Sequence, residues 1–143
     1  GHINFTKADI TFDGDAISTG NFIVDMTSIS VDDISGGGKN RLENHLKDDD
    51  FFSVDKFNNA ELEILEKSEM IDNKYLIEAN LTIKGITNPI TFEMTLVAED
   101  SYKAKLIFDR SKYDVQYRSG SFFENLGDRL ILDDVELEVT LVK

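Results

Sequence analysis

The sequence predicts an all-β protein of about seven or eight antiparallel strands, an up-and-down barrel or a sandwich, with one short helix. Three observations carry this. Most of the chain alternates apolar and polar residues, the signature of half-buried strands. The links between these runs are short and turn-like, which joins sequential strands into a meander, barrel or sandwich. A single stretch, Lys39 to Phe57, carries helical spacing. With 143 residues, 41% of them hydrophobic and ten phenylalanines, the chain can bury a core as one domain spanning 1–143.

Taken in order, Ile3 and Phe5 share one parity and Ile10 and Phe12 the other, so a bulge or bend is expected around Lys7–Asp9. Asp13-Gly14-Asp15 is a turn. The next strand runs from about Ile17 to Ile29 and places Phe22, Val24 and Met26 on its cleaner apolar face. Gly36-Gly37-Gly38 reads as a flexible loop, followed by a helix with Leu42 and Leu46 on one side. Asp48-Asp49-Asp50 is a poor helix C-terminus by the macrodipole argument and marks a second short turn instead. Phe51, Phe52 and Phe57 follow it.

Beyond Phe57 the alternation is regular. Ala60, Leu62 and Ile64 form one strand. Tyr75, Ile77, Ala79, Leu81 and Ile83 form the clearest one. Gly85 to Pro89 reads as a turn into Ile90, Phe92, Met94, Leu96 and Ala98, with Pro89 tolerated at the strand start. Tyr102, Ala104, Leu106 and Phe108 make the next face. Val115 and Tyr117 hint at a short strand before the aromatic pair Phe122-Phe123. The last strand runs from Leu130 to Val142, with a parity change at Asp133-Asp134.

The chain has a formal net charge of −13, with 28 acidic residues against 15 basic ones. Such a surface repels phosphate backbones and anionic headgroups, which argues against nucleic-acid partners and membrane docking. No run is long enough to span a bilayer, so stable membrane insertion is not expected. The absence of cysteine excludes disulfides, thiolate catalysis and thiolate metal sites. Two histidines without ligand spacing, and acidic clusters without a calcium-loop pattern, give no metal centre. No nucleophile elbow, phosphate loop or dinucleotide fingerprint is present.

Three stretches together resemble the YceI-like family of small lipocalin-like barrels. They are Gly20–Ile29 with His45–Phe57, Leu81–Phe92 (LTIKGITNPITF), and Phe108–Tyr113 with the closing Leu126-Gly127-Asp128 and final strand. They occur in the family's order and cover nearly the whole chain. The resemblance implies an eight-stranded barrel around a long apolar tunnel, binding of polyisoprenoids or isoprenoid quinones, and a periplasmic or secreted location. It carries no catalytic residues. Family members usually begin with one more strand before the Gly1–Ile3 region, so the domain is expected to lack that strand. The resulting open edge invites pairing with another chain, a homodimer included. Asp114 stands where a glycine is common.

The expected ligand is therefore a hydrophobic small molecule, with no other cofactor. Inward faces nominate Phe22, Val24, Met26, Tyr75, Ile77, Leu81, Phe92, Met94, Leu96 and Phe108 as cavity lining. Small or flexible residues on those faces, such as Ala79, Ala98, Ala104, Met26 and Met94, lean towards a cavity, although a packed core is the plainer reading. Leu42, His45, Leu46, Phe51 and Phe52 are placed at the mouth, with the two leucines closing it and the two phenylalanines anchoring the segment. His45 is either a headgroup partner or a surface residue. Arg110, with the Phe122-Phe123 pair, lies near the irregular segment, where a salt bridge is its plainer use. A ten-residue strand spans roughly 33 Å, enough for several isoprene units. Two other readings remain at this level: an interaction domain on a filled barrel, and a hydrolase whose carboxylates meet only in space.

Overall fold

The computed structural model describes residues 2–30, 37–48, 51–116, 119 and 133–142, with the backbone alone at 37–39 and 41. In chain order the elements are β1 (His2–Asp13), β2 (Ala16–Ser30), α1 (Gly37–Lys47), β3 (Asn59–Ile64), β4 (Lys74–Ile83), β5 (Ile86–Ala98), β6 (Ser101–Asp109), a 3-10 turn η1 (Arg110–Tyr113) and β7 (Asp134–Val142). The seven strands form one antiparallel sheet whose spatial order is the chain order. Every link therefore joins neighbouring strands, by tight turns in β1–β2, β4–β5 and β5–β6 and by longer segments elsewhere. The sheet curls on itself: Phe12 of β1 and Tyr102 of β6 lie five strands apart yet their rings stack at 5.9 Å.

Period-two burial positions the interior. Along β4 the even-spaced row Tyr75, Ile77, Ala79, Leu81 and Ile83 is buried while Lys74, Leu76 and Glu78 face out. Phe92 and Met94 of β5, and Tyr102, Ala104, Leu106 and Phe108 of β6, continue that inner layer. The parity change expected in β1 is a register shift against β2 between Phe5 and Lys7, with others near His2 and Thr11. Two apolar clusters result. One gathers Ile17, Phe22, Tyr75, Ile77, Met94 and Tyr102; the other gathers Met26, Phe51, Val54, Leu81, Phe108 and Tyr113 at the opposite end.

Three sequence-based boundaries shift. Gly37 and Gly38 belong to the first turn of α1 rather than to a loop. The turn read over Gly85–Pro89 is confined to Lys84-Gly85, which both take positive φ (53° and 73°), and β5 already begins at Ile86. Pro89 is therefore inside a strand. The reason it is tolerated is that β6 pairs with β5 only from Glu93 onward, so among the described residues β4 is the one strand paired with β5 at Pro89. Val115 is not in a strand; it follows η1 and its N–H donates to the Arg110 carbonyl (3.2 Å). The last strand is described from Asp134. Leu130, Leu132, Tyr117 and the Phe122-Phe123 pair lie outside the described residues.

Asp114 accounts for the unusual residue at a glycine-favouring position. It caps η1 in the left-handed region (φ 60°, ψ 28°) and its N–H closes onto the Arg110 carbonyl. Aspartate is among the few residues that adopt this conformation at modest cost.

Candidate ligand cavity

The curled sheet encloses a cavity of about 960 Å³, near the upper end of the roughly 300–1,000 Å³ typical of small-molecule sites. Its wall is largely aliphatic and aromatic. Phe22, Val24 and Met26 enter from β2, Ile77 and Leu81 from β4, Phe92 and Met94 from β5, and Ala104, Leu106 and Phe108 from β6. The inner rows of successive strands thus supply the wall, which is the alternation a barrel demands. The terminal strands differ. Consecutive residues His2–Phe5 of β1 and Asp134–Leu141 of β7 border the cavity, so both rows of each strand reach it. The cavity opens between these two strands, which are not paired with each other among the described residues.

At one end sits the segment that follows β2. Leu42 and Leu46 of α1 border the cavity, as do Phe51 and Phe52 just after it. The backbone here turns tightly: Phe52 and Val54 N–H groups donate to the carbonyls of Leu46 (3.1 Å) and Lys47 (2.9 Å), and Phe51 and Ser53 to that of Asp48 (3.0 and 2.8 Å). These bonds satisfy carbonyls that the end of α1 leaves open. They also swing Phe51 inward, where it is 6% exposed, edge-on to Phe52 with centroids 5.2 Å apart.

Arg110 completes this end. It is 1% exposed, although it borders the cavity. Its guanidinium lies 5.1 Å from the centre of the Phe51 ring, Nη1 donates to the Val115 carbonyl (2.8 Å), and Nη2 is 4.0 Å from the half-buried Asp133 carboxylate. Burial lowers the Arg110 pKa from its ordinary value, with Asp133 and then Asp109 opposing that shift; an arginine remains charged regardless. The acid it faces is partly exposed, so the ion pair lies at the edge of the interior. Ser119 Oγ donates to the same Asp133 oxygen.

The opposite end is closed by aromatic rings. Tyr102 stacks on Phe12 at 5.9 Å and meets Tyr75 at 6.3 Å. The Tyr75 hydroxyl donates to the Asp15 carbonyl (2.5 Å), which ties the floor to the β1–β2 turn.

Of the residues nominated from the sequence, Phe22, Val24, Met26, Leu42, Leu46, Phe51, Phe52, Ile77, Leu81, Phe92, Met94, Phe108 and Arg110 border the cavity. Three do not. Tyr75 lies in the floor, and Leu96 packs beside it against the same cluster. His45 is half-buried and turns its ring edge-on to Phe51, centroids 6.0 Å apart, so it stands behind the wall. Phe122 and Phe123 lie outside the described residues. The nominations omitted the contributions of β1 and β7, among them Phe5, Ile10, Leu137 and Val139. Their alternation is visible, but period-two patterning alone does not say which strands frame the opening.

The carboxylates at the cavity, Glu61, Asp134, Glu136 and Glu138, are all exposed, and Glu136 is engaged with Lys105 at 3.4 Å on the outer face. Among the described residues no group of three acids or histidines is arranged to hold a metal ion, and no helix is long and apolar enough to cross a membrane.

Comparison with known proteins places this geometry. Burkholderia cenocepacia BcnA has a similar structure, with a TM-score of 0.75 at 20% identity over 98% of this chain and 84% of that one. The Campylobacter jejuni YceI protein gives a TM-score of 0.71 at 20% identity, over 98% and 82% of the two chains. At such identities the likeness speaks for the fold. A UPF0312 protein of Staphylococcus aureus strain N315 is 34% identical over 92 residues, 64% of this chain and 49% of its own length. The match thus spans about half the length of that curated relative. The YceI-like domain profile matches residues 1–143, and the chain belongs to the YceI-like family.

Proposed function

We propose that the protein binds an isoprenoid-type lipid, a polyisoprenoid or isoprenoid quinone, inside the barrel and carries, stores or sequesters it without chemical change. The observation that supports this most is the apolar cavity of about 960 Å³. A filled interior, as a pure interaction scaffold would have, is not what the inner rows produce. Two alanines on those rows, Ala60 and Ala104, border the cavity in place of larger side chains.

The energetics need no special residue. Each buried CH₂ contributes roughly 0.8 kcal/mol, so a five-carbon unit adds a few kcal/mol before the cost of ordering it. Affinity is then expected to follow the tail more than the headgroup. A hydrolytic reading has less support, since the carboxylates at the cavity sit exposed on its rim rather than converging inside it. A location outside the cytoplasm, as in the periplasm or medium, is the setting in which a carrier of this kind serves, and the family resemblance favours it.

The test is titration of the purified protein with a fluorescent prenol, in parallel with Met94→Trp, which enlarges a side chain that borders the cavity. Saturable binding that is lost in the folded variant supports the proposal. Absence of binding to the folded, lipid-stripped protein would sink it.

A further inference from the structure

We infer that the aromatic floor formed by Phe12, Tyr75 and Tyr102 acts as a ruler that limits the length of hydrocarbon tail the cavity accepts. This rests on the lipid-binding reading and adds to it the residues that select the ligand.

The placement of neighbouring side chains carries the inference. Ile10, Ile77 and Ala104 all border the cavity, whereas Phe12, Tyr75 and Tyr102, two residues further along the same strands, do not. On β1, β4 and β6 the cavity therefore ends between these two layers, whereas Met94, paired with Tyr75, and Leu141, paired with Tyr102, still border it on β5 and β7. The floor is a cross-barrel contact, joining β1 to β6 through the Phe12–Tyr102 stack and β6 to β4 through Tyr102–Tyr75. It is also fastened from below. Tyr75 is 2% exposed and holds the Asp15 carbonyl. Ile17 and Ser68 exchange two backbone hydrogen bonds of 2.8 Å, and Ser68 Oγ donates to the Leu76 carbonyl (2.7 Å). A tail that pushed through would have to break these bonds and separate packed rings, so the close-packed floor does not yield gradually.

The layer just above is the adjustable one. Ala104 is the smallest side chain there and stands one inward position, roughly 7 Å, above Tyr102. Enlarging it raises the floor; shrinking Tyr102 lowers it.

The experiment measures affinity for a series of all-trans prenols that differ by single five-carbon units, using the full chain and circular dichroism to confirm folding. For the wild type, affinity climbs with each unit to a limit and then levels. In Tyr102→Leu the limit moves up by one unit, and the first prenol beyond the wild-type limit binds about tenfold tighter than it does to wild type. In Ala104→Leu the limit moves down, and the longest accepted prenol binds about tenfold weaker while short ones are unaffected. If Tyr102→Leu fails to fold, Ala104→Leu decides alone. An identical limit in every folded variant that still binds prenols overturns the ruler. Failure of the folded wild type to bind any prenol overturns the lipid-binding reading instead.

Discussion

The guanidinium of Arg110 lies 5.1 Å over the ring of Phe51, and through it the segment behind α1 is tied to the far side of the chain. The same side chain reaches the Val115 carbonyl (2.8 Å) and faces Asp133 at 4.0 Å, one residue before β7. One buried cation thus joins the end of α1, the turn after β6 and the start of the last strand. Fixed in this way, Phe51 holds Phe52 and Leu46 at the rim of the cavity.

Arg110→Ala is expected to cost about 2–3 kcal/mol of stability, because a charge-assisted hydrogen bond is lost and a buried carbonyl is left without its donor. The 4.0 Å separation from a partly exposed Asp133 keeps the figure below that of a tight buried ion pair. Arg110→Lys should recover little, since an ammonium cannot lie flat on Phe51 while reaching Val115. Urea unfolding of the three proteins checks this; a loss below about 0.5 kcal/mol in Arg110→Ala would contradict it.

Leu46 and Phe52 are half-buried at the cavity rim, which suits a barrier more than a keystone. Leu46→Ala or Phe52→Ala should raise the rate of lipid release by about threefold to tenfold, as roughly 1 kcal/mol of contact is removed. Stopped-flow displacement of a fluorescent prenol measures it. Unchanged release in both variants would make the segment purely structural.

Two buried tyrosines set an alkaline limit. Burial raises the pKa of Tyr75, with Tyr102 and Asp15 adding to the shift. Burial also raises that of Tyr113, a nearby Asn88 only partly opposing. The folded protein then holds these protons where the unfolded chain, with tyrosines near 10, releases them. Their contribution is complete below about pH 10 and is lost as pH climbs through the raised folded values. Denaturation midpoints should be flat from pH 7 to 9 with respect to these groups and fall above about 10.

The two hydroxyls differ at neutral pH. Tyr75 donates to Asp15, so Tyr75→Phe should cost about 1 kcal/mol. The Tyr113 hydroxyl is buried and finds no hydrogen-bond partner among the described residues; the Asn88 amide donates instead to the Lys112 carbonyl (3.1 Å). Tyr113→Phe should be neutral or stabilising by up to about 1 kcal/mol. A larger loss in Tyr113→Phe than in Tyr75→Phe would reverse the assignment.

Asp114, at φ 60°, gives a further check on the backbone. Asp114→Gly should stabilise the fold by roughly 0.5 kcal/mol, relief of the left-handed strain outweighing the added chain entropy. The Lys84 Nζ bond to the Asp114 carbonyl (2.9 Å) survives the change, and the bond that Gln116 Nε2 donates to the Asp114 carboxylate, which is lost, is exposed and worth little. A measurable loss of stability would contradict this reading.

The strands were legible because one buried face imposes a strict period of two. Tyr75 through Ile83 could be read at once, and with them the wall residues Ile77 and Leu81. Local signals misled where tertiary pairing decided. Gly85 and Pro89 look like the limits of one turn, yet Ile86–Pro89 pairs with β4 because β6 has not yet joined that stretch. Arg110 looks like a surface cation until Asp133 is brought beside it from 23 positions away. Tyr75 has the parity of a lining residue; only its tilted contact with Tyr102, itself stacked on Phe12, puts it in the floor. Parity tells which face a residue takes, not how far along the barrel the space extends.

Native mass spectrometry of the protein isolated from its own host tests the central claim most directly. The account predicts a co-purifying adduct with the mass of an isoprenoid lipid, lost on extraction with organic solvent and absent from folded Met94→Trp. A protein that emerges as bare chain, and that binds no added prenol once confirmed to be folded, would contradict it.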